Sequence, residues 1–106
     1  MMSASKRIVI GGVEILLGSR EVYCCNKLVT LTGLEFNLLW LLMHNFPKTV
    51  TRESIAKHIF NRSLDESNQS INMHISTIRK KLLLDTDYSR IKSLRGKGYV
   101  FLAYQT

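Results

Sequence analysis

Ile71, Ile75, Ile78 and Leu82 recur at intervals of four, three and four residues. At about 100° per residue all four fall on one narrow stripe of an α-helix. The stripe predicts a helix over roughly 67–84 that buries one side in a core. The opposite side carries Gln69, Asn72, Met73, Ser76, Thr77 and Lys80, with Arg79 and Lys81 on the flanks. Neither Asp nor Glu occurs between Ser67 and Leu84. The ordinary reading of a helix's polar side is a solvated face, but such faces usually mix both signs. Here short hydrogen-bonding groups and one flexible apolar side chain precede three successive cations. That set matches the base edges, thymine methyls and flanking phosphates of a DNA major groove.

The remaining segments give this helix something to pack on. Residues 7–31 alternate short runs of Val, Ile, Leu and Tyr with turn residues: "RIVI", Gly11-Gly12, "VEILL", Gly18-Ser19, "EVYCC", Asn26-Lys27, "LVTL". Four strands joined by turns of about two residues form an antiparallel meander. "TGLE" at 32–35 is a capping box, and "LEFNLLWLLMHN" after it is apolar nearly all round. A helix of that kind lies in the middle of a domain and stops before Pro47. "TV" at 49–50 fits a brief strand. Thr51 then caps a second helix, "RESIAKHIF", whose Ile55, Ala56 and Ile59 share a face. "NRSLDES" reads as a loop, and "SRIKSLRGKGYVFLAY" as a closing hairpin. The fold class is therefore α+β: a four-stranded antiparallel sheet, three helices and a C-terminal hairpin. Met1–Lys6 reads as the remnant of a linker, and residues 7–106 as one domain.

The formal net charge of +7 is concentrated late in the chain. Residues 51–106 hold ten Lys and Arg against five Asp and Glu, whereas residues 1–50 hold five against three. An anionic partner follows: nucleic acid, a membrane surface or an acidic protein. No apolar run approaches the ~20 residues of a membrane span, and no signal-peptide pattern precedes the first strand. Membrane partners are thereby disfavoured. Cys24 and Cys25 are adjacent, and neighbours in a strand point to opposite faces, so a disulfide between them would be strained. They read as reduced thiols of a cytoplasmic protein. His44, His58 and His74 lack cysteine or carboxylate companions at metal spacing, and no nucleophile–base motif is visible. The expectation is no enzyme, no metal and no cofactor. Trp40 reads as core, and Lys57 and Arg62 as ordinary solvated charges.

The second and third helices, with a joint of about seven residues, make a helix-turn-helix with a long turn. A hairpin after its second helix is a wing. Its tip would carry Arg95 and Lys97 toward a minor groove, with Gly96 and Gly98 supplying the turn. A phosphate cradle would need a helix after the glycines, and a strand-like run follows instead.

"LTGLEFNLLWLL", "TRESIAKHIF", "SINMHISTIRKKL" and "IKSLRGKGYVF" together resemble the winged-helix effector domain of OmpR/PhoB-type response regulators, over about residues 7–103. Within that family, "INMHIS" and the length of the "NRSLDES" loop are most similar to envelope-stress regulators of the CpxR type. The resemblance implies a cytoplasmic transcription factor of a two-component phosphorelay. Its receiver domain is phosphorylated by a sensor kinase, and its effector domains bind tandem DNA repeats as a head-to-tail homodimer. It implies base readout by Met73, Ser76, Thr77 and Lys80, to which the polar face of the helix itself adds Gln69 and Asn72. It implies phosphate contacts by Thr32, Thr51, Arg52, His74, Arg79, Lys81 and Lys97, and a minor-groove contact by Arg95. It also implies an RNA polymerase contact by the loop Asn61, Arg62, Ser63, Leu64, Asp65 and Glu66. Many members carry Arg and Asp where this chain has neutral Gln69 and Asn72. Ser76 and Thr77 replace arginines of the phosphate-regulon members, so no member's target sequence carries over. The alternative use of the same cations is a winged-helix module that binds an acidic protein.

Overall fold

The computed structural model describes residues 6–83 and 90–103. Most of the expected linker, Leu84 at the end of the expected helix, and the last three residues lie outside these. The first sheet holds β1 (Arg7–Ile10), β2 (Val13–Leu16), β3 (Glu21–Cys24) and β4 (Lys27–Val29), each antiparallel to the next. Ile10 pairs with Val13 across Gly11 and Gly12, both at positive φ (55° and 85°), which suits a two-residue hairpin. Two expected turns are corrected. The β2–β3 connection spans 17–20 because Leu16 pairs with Glu21. The β3–β4 turn falls on Cys25 and Asn26, both at positive φ, so Lys27 belongs to β4 and pairs with Cys24. Cys24 thus points into the core and Cys25 outward, and both are free. Alternation gives the sheet its inner face: Val13, Ile15, Val22, Cys24 and Val29 are buried.

The helix α1 (Gly33–His44) starts as the capping box requires. Thr32 Oγ1 accepts from the Glu35 N–H at 3.2 Å, and Glu35 Oε1 accepts from the Thr32 N–H at 3.0 Å. Leu38, Leu39 and Leu42 are wholly buried, so α1 is the central helix. Trp40 packs at the margin of the core and stacks on His44 with ring centroids 5.9 Å apart. Beyond it come β5 (Val50–Thr51) and α2 (Arg52–Ile55), which widens into a π-turn over Ala56–Phe60. Asn61, at φ 59°, ends that segment in the left-handed conformation.

The third helix, α3 (Leu64–Leu83), begins three residues earlier than its apolar stripe predicts. Ser63 is the reason. Its Oγ accepts from the Glu66 N–H at 3.4 Å, and Glu66 Oε1 accepts from Ser63 Oγ at 3.1 Å and the Ser63 N–H at 3.4 Å. This second capping box makes the helix-turn-helix joint only residues 61–63, not about seven. Leu64, Asp65 and Glu66 are therefore helical and not loop. The helix also carries acids after all, in its first turn, where the positive end of the helix dipole favours them. The stripe lies where expected: Ile71, Ile75, Ile78 and Leu82 are at most 1% exposed.

The closing hairpin, β6 (Ile91–Leu94) and β7 (Gly98–Phe101), belongs to a three-stranded sheet with β7 in the middle and β5 on its other side. Val50 pairs with Tyr99 and Thr51 with Gly98. Gly98 therefore does more than shape a turn: a Cβ there would lie 2.0 Å from the Val50 carbonyl oxygen. Phe101 and Ile91 of this sheet meet the α3 stripe and α1 in one core.

Glu35 ties α1 to α3. Burial pushes its carboxyl pKa up, but the hydrogen bond from Lys81, the Thr32 N–H, the Lys81 charge and the Thr32 hydroxyl outweigh this and hold it below its ordinary value. A carboxyl lowered in the folded state stabilises above its unfolded pKa, and that contribution is lost as pH falls through the folded one. Glu35→Gln is thus expected to cost about 1–2 kcal/mol at pH 7. In urea denaturation against pH, the gap from wild type should close below pH ~4. A gap independent of pH would remove the ion pair from the account.

Candidate nucleic-acid interface

Gln69, Met73, Ser76 and Lys80 repeat the four-three-four spacing of the buried stripe, displaced by two residues. Two residues turn a helix by about 200°, so this row lies opposite the core. All four are exposed, as is Asn72. Met73 is 64% exposed, the largest apolar group presented by this face. Thr77 is half-buried, and its hydroxyl donates to the Met73 carbonyl at 3.1 Å, which leaves its oxygen outward as an acceptor. The six expected readout residues therefore share one side of α3.

The expected phosphate contacts divide. Thr32 and Thr51 are exposed N-caps whose oxygens accept from the Glu35 and Ser54 N–H groups at 3.2 and 3.1 Å. Thr51 keeps its hydroxyl proton for an outside acceptor, whereas the Thr32 hydroxyl also serves the Glu35 carboxylate. Lys97 and Arg95 stand at the wing tip, both exposed, in a turn closed by the Lys97 N–H on the Leu94 carbonyl at 2.9 Å. Gly96 between them takes φ 73°. Among the described residues, the side chains of Arg95, Lys97 and Lys80 have no internal hydrogen bond or ion pair, so their charges are available.

Three expected phosphate cations are instead turned inward. Lys81 Nζ lies 2.8 Å from Glu35 Oε1. Arg79 donates through Nε to the Ile91 carbonyl at 3.0 Å and through Nη2 to Ser93 Oγ at 2.6 Å, which braces α3 against β6. Arg52 donates to Asn68 Oδ1 from Nε at 3.0 Å and from Nη2 at 2.6 Å, and to the Tyr99 hydroxyl from Nη1 at 2.7 Å. Each guanidinium or ammonium exchanges water for fixed acceptors, which makes it a brace first. His74 is half-buried, with Nδ1 2.7 Å from the Ser70 carbonyl and its ring edge-on to Phe60. A carbonyl only accepts, so Nδ1 carries the proton, and the neutral ring offers an acceptor at Nε2. An anion there requires the doubly protonated ring.

The segment 61–66 is exposed apart from Leu64, which packs on the core. Sequence reasoning passes over Asn68 and Tyr99, although both lie among these braces. Tyr99 is only 5% exposed, between the Arg52 and Arg79 guanidiniums at 5.6 and 5.9 Å from its ring centre. The one local signal for Tyr99 is its place directly after Gly98 in "RGKGYVF". Among the described residues no cluster of three or more metal-ligating side chains occurs, and no helix is long and apolar enough to cross a membrane.

Comparison with known proteins agrees with this architecture. Residues 26–101 match the family described as "Transcriptional regulatory protein, C terminal". CpxR of Escherichia coli (strain K12) is 34% identical over 102 residues, covering 95% of this chain and 44% of that protein. RstA of the same strain is 34% identical over 97 residues, covering 91% of this chain and 41% of that protein. The chain thus spans less than half the length of these curated relatives. The crystal structure of the E. coli CpxR DNA-binding domain superimposes with a TM-score of 0.83 at 31% identity, covering 93% of this chain and 98% of that one. The Klebsiella pneumoniae RstA DNA-binding domain, crystallised in complex with the RstA box, gives 0.82 at 32% identity, covering 93% and 99%. The Thermotoga maritima response regulator DrrB, an OmpR/PhoB homolog, gives 0.78 at 29%, covering 91% of this chain and 44% of that one. The chain belongs to the C-terminal transcriptional regulatory family, the winged-helix effector domains of OmpR/PhoB-type response regulators.

Proposed function

We propose that this domain binds duplex DNA in a sequence-specific manner and acts as the transcriptional output of a two-component response regulator. The observation that carries the reading is the outward row of α3, with Gln69, Met73, Ser76 and Lys80 backed by the uncommitted wing cations Arg95 and Lys97. Short polar groups and a thioether at helical spacing fit major-groove edges, and flanking cations fit phosphates. In this reading α3 lies in the major groove, Thr32, Thr51 and Lys97 meet phosphates, and Arg95 enters the minor groove. The RstA domain crystallised in complex with its DNA box supports DNA binding by a chain of this fold. The family resemblance supports three further assignments: head-to-tail pairing on tandem repeats, a receiver domain in the parent protein, and RNA polymerase contact by residues 61–66. It also supports a cytoplasmic location. No catalytic step, metal or cofactor enters the mechanism. Recognition rests on charge, groove fit and hydrogen bonding.

Selection against a randomised duplex library at ~150 mM salt tests this reading, because non-specific phosphate attraction is weakened there. The expected result is a half-site repeated about one helical turn apart. A pool without enrichment would sink it and favour an acidic protein as the partner of the basic face.

A further inference from the structure

Arg52, Tyr99, Asn68 and Asn72 form one chain of hydrogen bonds whose direction is set by chemistry. A guanidinium only donates. Arg52 gives two of its N–H groups to Asn68 Oδ1, at 3.0 and 2.6 Å, and a third contact to the Asn68 carbonyl at 3.3 Å. It gives Nη1 to the Tyr99 oxygen at 2.7 Å. The Tyr99 hydroxyl has a single proton, which Arg52 cannot accept. Asn72 Oδ1, 3.1 Å away, accepts it. Both amide oxygens are therefore held from inside the domain.

An amide whose oxygen is held presents its NH2 group on the other side. Asn68 and Asn72 are both exposed and four residues apart, so they lie on one face of α3, one turn from each other. A free asparagine can show groove edges its oxygen, its nitrogen, or both at once, as in the bidentate contact to adenine N6 and N7. Here two Arg52 N–H groups fill both lone pairs of Asn68 Oδ1, and the Tyr99 proton takes one of the two on Asn72 Oδ1, which fixes the way each amide faces. Tyr99 is well placed to enforce this, being buried in the middle strand of the second sheet and flanked by two guanidiniums.

Resting on the DNA-binding reading, we propose that Tyr99 and Arg52 are positioning residues for specificity: they fix the amides of Asn72 and Asn68 with the oxygens inward and the NH2 groups leading outward. Asn72 then favours guanine O6 or N7 and thymine O4 over cytosine, whose major-groove group is a donor, and over adenine, which sets an N6 donor beside its N7 acceptor. The neutral amide is essential to this polarity. A carboxylate at the same position would take the Tyr99 proton on one oxygen and show an acceptor on the other.

The test is the same library selection run on wild type, Asn72→Asp and Tyr99→Phe, with thermal melting of each. Wild type should enrich guanine or thymine at the base pair beside Asn72. Asn72→Asp is a surface change that leaves the core intact. It should move that one position to cytosine or adenine by about tenfold, with the other positions unchanged. Tyr99→Phe should blur the same position without inverting it. If Asn72→Asp enriches the wild-type base at every position, the lock is wrong even though DNA binding stands. If wild type enriches nothing, the reading beneath it fails instead.

Discussion

Gly98→Ala is expected to destabilise the domain by about 2–4 kcal/mol, through overpacking of backbone against backbone. The added methyl would sit 2.0 Å from the Val50 oxygen and 2.8 Å from both the Val50 carbonyl carbon and the Thr51 Cα. None of these atoms is the free end of a side chain that could swing away. Gly98 also has φ 156°, a conformation that L side chains rarely adopt. Relief requires β5 to leave β7, which breaks the pairs of Val50 with Tyr99 and Thr51 with Gly98. Arg52 follows Thr51 directly, so the brace from α2 to Tyr99 would loosen as well. Gly96→Ala is the internal comparison. Nothing lies near its Cβ position, and only its φ of 73° opposes a side chain, so the cost should be about 1 kcal/mol. Urea denaturation of the two variants reads the difference. A Gly98→Ala protein as stable as wild type would mean that β5 does not close on β7.

The double reversal Arg95→Glu/Lys97→Glu should leave stability within about 0.5 kcal/mol, since exposed side chains without internal partners contribute little to it. On the DNA-binding reading, the loss in affinity for the selected duplex should be about 10²–10³-fold at ~100 mM salt, with the slope of log K against log salt shallower by about two. The formal charge would fall from +7 to +3, two units for each replacement. The reversal also plants two carboxylates where the wing meets phosphate or a narrow minor groove, which adds repulsion to the lost attraction. Fluorescence anisotropy against salt concentration measures both quantities. Unaltered affinity with an unaltered slope would take the wing off the DNA.

Much of the fold was legible because its signals are local. The Ile71–Leu82 stripe, the Thr32–Glu35 capping box and the Gly11-Gly12 turn each depend on residues within a few positions of one another. Ser63–Glu66 is a signal of the same local kind, yet "SLDE" is followed by a polar run and not an apolar one, so the apolar stripe alone sets the start of α3 three residues too late. The row of readout residues on α3 was likewise legible, since helical geometry alone places it opposite the buried stripe.

Local pattern along the chain specifies this set of elements, their apolar faces and the site of the excess positive charge. Which charges remain available depends on how the chain closes on itself. Arg52, Arg79 and Lys81 read as cations like Lys80 and Arg95, but they meet Asn68 and Tyr99, Ile91 and Ser93, and Glu35, partners 12 to 47 positions away. The same holds for Gly98, whose lack of a side chain looked like a requirement of the wing turn and proved to be room for β5. Periodicity and capping are properties of neighbouring dihedral angles, so a short stretch reveals them. The partner of a charge or the neighbour of a glycine is set by chain segments that meet only when the core closes, and no local pattern encodes that meeting.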